Sequence, residues 1–123
     1  MKTVNTDKAP AAIGPYSQAI ISGGLVFTSG QIPVDPATGA VAGETIVEQA
    51  EQVMANLQVV LAAAGTTPER AVKTTCFLAD MADFAAFNEI YAQTFTSKPA
   101  RSCVAVRTLP KGVLCEVEVV AEI

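Results

Sequence analysis

The sequence predicts an α+β two-layer sandwich, a six-stranded mixed sheet with two helices on one face. Three observations point there. Hydrophobic periodicity divides the chain into strand, strand, strand, helix, strand, helix, strand, strand. Two helices are too few to cover both faces of six strands, so both belong on one. The length of 123 residues suits one domain, spanning residues 1–123, around one core.

The first strand is expected near Lys2–Thr6, followed by an irregular segment from Ala9 to Pro15. Tyr16–Ser22 and Leu25–Ser29 then form a hairpin, because Gly23-Gly24 supplies the positive φ that a tight turn needs. Pro33 to Gly43 is a turn-rich loop. The first helix starts at a capping box, Thr45 with Glu48 three residues on. Ile46, Ala50, Val53, Met54, Leu57, Val60, Leu61 and Ala64 recur at helical spacing and read as core, and Gly65 stops the helix. Ala71–Ala79 is a strand, and Asp80 caps a second helix with Phe84, Phe87, Tyr91 and Phe95 on one face. Arg101–Arg107 and Val113–Ile123 are the last two strands, joined around Leu109-Pro110-Lys111-Gly112.

Charge and composition exclude several functions. The net charge is −4, and the eight Lys and Arg are scattered, so no basic stripe awaits phosphates and no nucleic-acid partner is expected. There is no run of 18 apolar residues and no signal-peptide core after Met1, so a cytoplasmic protein without membrane contact is expected. Half of the residues are hydrophobic, which in so small a domain suggests sheet surface covered by another chain. There is no histidine, which removes Ser-His and Cys-His pairs. Cys76, Cys103 and Cys115 lack metal-site spacing and read as buried reduced thiols, so no metal is expected. Chemistry is left to carboxylates, Arg, Tyr, Ser, Thr, Cys and backbone groups.

Alternation in the last two strands narrows the candidates. Val113, Cys115, Val117, Val119 and Ala121 form an apolar face for the helices, which turns Glu116 and Glu118 the other way. If the last two strands pair through the Pro110–Gly112 turn, Arg101, Cys103 and Arg107 join both glutamates on the helix-free face. Two readings of Arg101 and Glu116 then stand. One is a cross-strand ion pair on a solvated sheet. The other is an Arg fork for a substrate carboxylate, with a glutamate handling water or a proton beside it. Periodicity does not choose between them.

Longer stretches do. Ala11-Ala12-Ile13-Gly14-Pro15-Tyr16-Ser17-Gln18, Thr28-Ser29-Gly30-Gln31-Ile32-Pro33, Lys73 through Leu78, Asp83 through Phe95, and Pro99-Ala100-Arg101-Ser102-Cys103-Val104 followed by Leu109-Pro110 and Glu116-Val117-Glu118 resemble the RidA (YjgF-like) family, in order and over nearly the whole chain. The resemblance implies a chorismate-mutase-like fold and a homotrimer whose sheets close a central barrel, with clefts between subunits. It implies hydrolysis of enamine/imine intermediates such as 2-aminoacrylate to 2-oxo acids and ammonia, with no cofactor. It makes Arg101 the carboxylate fork, Glu116 the group that polarises water and moves a proton, and Cys103 a donor through its backbone N–H, its thiol being pocket wall. Tyr16, Ser29 and Gly30 become pocket positions. The plainer readings are a half-buried strand aromatic for Tyr16 and an unusual backbone angle for Gly30. Asn88 and Tyr91 read as packing residues of the second helix. Rival functions are a 2-oxo acid sensor or chaperone-like module without turnover, and a ribonuclease or translation inhibitor.

Overall fold

A computed structural model describes residues 1–123. The strands are β1 (Lys2–Val4), β2 (Ala19–Ser22), β3 (Leu25–Thr28), β4 (Ala71–Leu78), β5 (Ala100–Ala105) and β6 (Cys115–Glu122), with helices α1 (Ile46–Ala63) and α2 (Phe84–Thr94). They form one six-stranded sheet in the order β1-β2-β3-β6-β4-β5, antiparallel except for the β4–β5 pair. Both helices cover one face, as the two-layer reading expects.

α1 starts and stops where its sequence signals stand. The Thr45 hydroxyl accepts from the Glu48 N–H at 3.2 Å. The Glu48 carboxylate accepts in turn from the N–H groups of Glu44 and Thr45 and from the Thr45 hydroxyl, which holds its pKa below the usual carboxylate range. At the other end Thr66 N–H donates to Leu61 and Gly65 N–H to Ala62, with Gly65 at φ +86°, a Schellman ending. The predicted apolar stripe is buried throughout, with Val53, Leu57, Val60 and Leu61 fully enclosed. Each such side chain contributes roughly 1.5–3 kcal/mol by leaving water. Beneath them lie Thr74, Cys76 and Leu78 of β4 and Cys115, Val117, Val119 and Ala121 of β6, all buried.

Three local expectations shift. Tyr16 precedes its strand, because the chain turns through Gly14 at φ +133° and Pro15 before β2 begins at Ala19. Asp80 caps a 3-10 turn at Met81–Asp83, its carboxylate accepting from Ala82 N–H at 2.9 Å, and α2 follows at Phe84. The larger correction concerns the last two strands, which do not pair. β6 lies between β3 and β4, and β5 is the outer strand, parallel to β4. α2 carries the chain back across the sheet, so β5 runs in the direction of β4, as a helical crossover requires.

That topology changes a face. Arg101 pairs with Thr74 and Cys103 with Cys76, whereas Glu116 pairs with Phe77. Thr74 and Cys76 lie under the helices, so Arg101 and Cys103 do too, while Glu116 and Glu118 keep the helix-free face. The weak alternation of an outer strand misled the sequence reading. Ala100–Ala105 alternates only between exposed and half-buried, with no buried row to mark the inner side. The helix-free face also leaves Phe27 and Val104 exposed.

Candidate active site

The N-terminal segment and the loop after β3 are irregular chain, and buried amides hold them. Gln18 accepts from Thr6 N–H at 2.7 Å and donates to the Thr6 and Pro10 carbonyls. Asn56 of α1 donates to the carbonyls of Ile32 and Val34, and Gln49 donates to Gly43 while accepting from Leu114 N–H. Between these pinned segments lies a cavity of about 430 Å³ lined by Ile13, Tyr16, Gly30, Ile32, Pro110 and Lys111, among others. Tyr16 is exposed, and its hydroxyl accepts only a long bond, 3.4 Å, from Ile13 N–H. Its polar end is open to a ligand.

Gly30 sits between two anchors. The Ser29 N–H donates to Gln18 and the Ser29 hydroxyl to the Ser17 carbonyl at 2.5 Å. Gln31 exchanges backbone bonds with Val117 on β6. The strap so held passes directly over Glu116, and a methyl group built on Gly30 would overlap the Glu116 carboxylate. Gly30 does not adopt a positive φ. The glycine is needed for room, and the expected backbone-angle reason does not apply. Glu116 is half-buried, and burial, then the charge of Glu118, raises its pKa above the usual carboxylate value. A carboxyl so raised is a better proton carrier near neutral pH.

Arg101 is held on the other side. Its Nη1 donates to Asn88 Oδ1 at 2.8 Å, and its guanidinium carbon lies 4.8 Å from the Tyr91 ring centre and 5.5 Å from that of Phe84. The flat group is stacked and oriented, with its other N–H donors unspent. Cys103 is two residues along the outer strand. Val106 N–H donates inward to Leu78, so alternation turns the Cys103 N–H to the open edge. The Cys103 thiol faces Cys76, and burial raises its pKa. Cys76 and Cys115 are pushed up to about 12 by the same cause. No nearby group draws these thiols toward thiolate strongly enough to offset burial.

The structure therefore brings Tyr16, Ser29, Gly30 and Glu116 into one neighbourhood, and Arg101 with the Cys103 N–H into another. The registers put Arg101 and Glu116 two strands and three residues apart, roughly 14 Å between backbones, with side chains on opposite faces. Asn88 and Tyr91, expected as packing residues of the second helix, both meet the Arg101 guanidinium. Phe84, Asn88 and Tyr91 stand at helical spacing on one face, and an amide inside an aromatic row was the available signal. No group of His, Cys, Asp and Glu gathers in a metal-binding arrangement, and no helix is long and apolar enough to cross a membrane.

Comparison with known proteins bears on this arrangement. Residues 6–123 match the family model described as Endoribonuclease L-PSP. The chain is 51% identical to a 2-iminobutanoate/2-iminopropanoate deaminase of Salmonella typhimurium, over 98% of this chain and 96% of that one. Other relatives, from Sinorhizobium fredii and Synechocystis, carry only the designation RutC family protein. Among solved structures, RidA from an Antarctic Psychrobacter superposes with a TM-score of 0.95 at 42% identity, each chain covered completely. Escherichia coli TdcF with bound serine gives 0.95 at 42% identity, covering 100% of this chain and 99% of that one.

Proposed function

Because the chain belongs to the RidA (YjgF-like) family, we propose that it is a cytoplasmic deaminase that hydrolyses 2-imino acids and their enamine tautomers to 2-oxo acids and ammonia. The observation that carries this reading is the oriented, unspent guanidinium of Arg101 beside an outward N–H at Cys103. Together they form a receptor for the carboxylate that every 2-imino acid bears. The Salmonella relative named for this reaction supports it, and three free cysteines support a reducing compartment.

The chemistry needs few groups. With the carboxylate on Arg101, the carbon of the protonated imine is fixed in place. Glu116 accepts a proton as water adds to that carbon, giving a carbinolamine. It passes the proton to the nitrogen, and ammonia leaves as the hydroxyl collapses to the carbonyl. Water supplies the oxygen, and the released ammonia leaves carrying the surplus proton as ammonium. Tyr16 and Gly30 line the neighbouring cavity, and Ser29 anchors the strap that carries Gly30 past Glu116.

One chain does not bring Arg101 and Glu116 together, so the reading includes a homotrimer in which each site takes Arg101 and Cys103 from one copy and Glu116, Tyr16 and Gly30 from its neighbour. The exposed Phe27 and Val104 on the helix-free face suit burial in such an assembly. Light scattering at micromolar concentration is expected to give three times the chain mass, and a monomer would remove this part of the reading. The activity test is a coupled assay in which a serine or threonine dehydratase generates the imine and 2-oxo acid release is timed. Acceleration over spontaneous hydrolysis is expected. Unchanged imine decay alongside 2-oxo acid binding would instead identify a sensor. RNA cleavage lost with Arg101→Ala would favour the activity for which the matched family model is described.

A further inference from the structure

Arg101 receives one side-chain hydrogen-bond acceptor in this structure, and it is neutral. Asn88 offers Oδ1 at 2.8 Å, and since its Nδ2 has no lone pair to give, the arginine dictates the orientation of the amide. Below the guanidinium lie two rings, and the nearer one is itself fixed. The Tyr91 hydroxyl lies 2.7 Å from the hydroxyl of Thr74, both residues are buried, and the Tyr91 ring stacks 4.8 Å from Phe95. Phe84, Asn88 and Tyr91 lie at i, i+4 and i+7 along α2, so one helix face supplies the whole cradle.

An aspartate has nearly the shape of asparagine and would bond this guanidinium more strongly, as a charge-assisted pair. Stability alone would favour it. The neutral amide does something an aspartate would undo: it orients the guanidinium while leaving the positive charge without a partner. We propose that Asn88 is a positioning and specificity-determining residue, whose neutrality makes this end of the site select ligands with a free carboxylate over uncharged imines and ketones of the same shape. The proposal rests on the reading of Arg101 as the carboxylate receptor. It adds the reason why the receptor is empty of protein anions.

The test compares wild type, Asn88→Asp and Asn88→Ala for binding of 2-oxobutanoate and its uncharged methyl ester, for KM and kcat of imine hydrolysis, and for thermal unfolding. Wild type is expected to prefer the acid. Asn88→Asp is expected to weaken acid binding at least about tenfold while leaving the ester unchanged, because a like charge now faces the ligand. KM should rise with kcat nearly constant, and Tm should stay level or increase. Asn88→Ala should also raise KM, by less than the aspartate does, since it loses orientation and adds no charge. A merely structural residue would behave differently, with stability and binding falling together for both ligands, and that result would overturn the proposal. So would acid binding by Asn88→Asp equal to wild type. If wild type hydrolyses imines and Asn88→Asp matches it in KM, this inference fails and the deaminase reading stands. If the aspartate erases acid preference in a protein that never accelerates imine decay, the deaminase reading fails and this inference stands.

Discussion

Arg101 and Glu116 are both half-buried charged side chains, yet the molecule holds them in opposite ways. Arg101 lies under α2 on the outer strand, gripped by an amide and two aromatic rings that fix its plane. Glu116 lies on the helix-free face under a strap that makes room for it at Gly30, with Glu118 as an unfavourable neighbour. One environment orients a guanidinium and leaves most of its donors unspent. The other costs its carboxylate stability in the charged form and so keeps a proton within reach. On the proposed reading the difference separates two jobs, holding a ligand and moving a proton, on opposite faces of one sheet.

The sharpest way to break this comparison is Glu116→Gln, which keeps shape and removes basicity. Initial 2-oxo acid release, corrected for spontaneous hydrolysis, should fall about 10²–10⁴-fold, the range for a general base. The wild-type rate should decline on acidification at a higher pH than an ordinary carboxylate would give. Stability carries the opposite sign. The folded pKa lies above the unfolded one, so between the two the native state binds more protons, and this group's destabilising effect grows as pH rises through that window. Glu116→Gln should therefore raise Tm at neutral pH and flatten its pH dependence. A variant that is both inactive and less stable at neutral pH would mean Glu116 is structural.

Arg101→Lys probes the other half. It keeps the charge but loses the planar fork and the stacking, so KM should rise about 10–100-fold and match Arg101→Ala within a few-fold. Activity near wild type would show that charge without orientation suffices.

A smaller effect is expected from Gly30→Ala. Its methyl displaces the Glu116 carboxylate, which should lower kcat about tenfold while changing stability little, since what gives way is the end of a flexible side chain. The informative measurement is the double variant. On a Glu116→Gln background, Gly30→Ala should cost little further activity, and additive losses would mean that Gly30 contacts the ligand on its own account.

Cys103→Ser should change least, within about twofold of wild type, because its thiol is held protonated by burial and its proposed contact is a backbone N–H. An inactive serine variant would point to thiol chemistry and invert the roles assigned to Cys103 and Glu116.

The periodicity of residues 45–65 contained α1 with its cap, stripe and stop, because each of those signals acts within a few residues along the chain. The alternation of β6 likewise contained its buried row, since a central strand contrasts two different surroundings. The two-layer architecture and the absence of histidine chemistry were equally legible. The neighbour of β5 was not. A turn at Pro110–Gly112 reads as a hairpin from nearby residues, whereas the insertion of β6 between β3 and β4 is fixed by pairings some 40 to 95 residues apart. Only the tertiary structure could decide that Arg101 and Glu116 occupy opposite faces, that an asparagine in an aromatic row meets the arginine, and that Gly30 is a glycine because a carboxylate lies beneath it. Each of these depends on which atoms meet across the sheet, and local sequence periodicity records only the side to which a residue points.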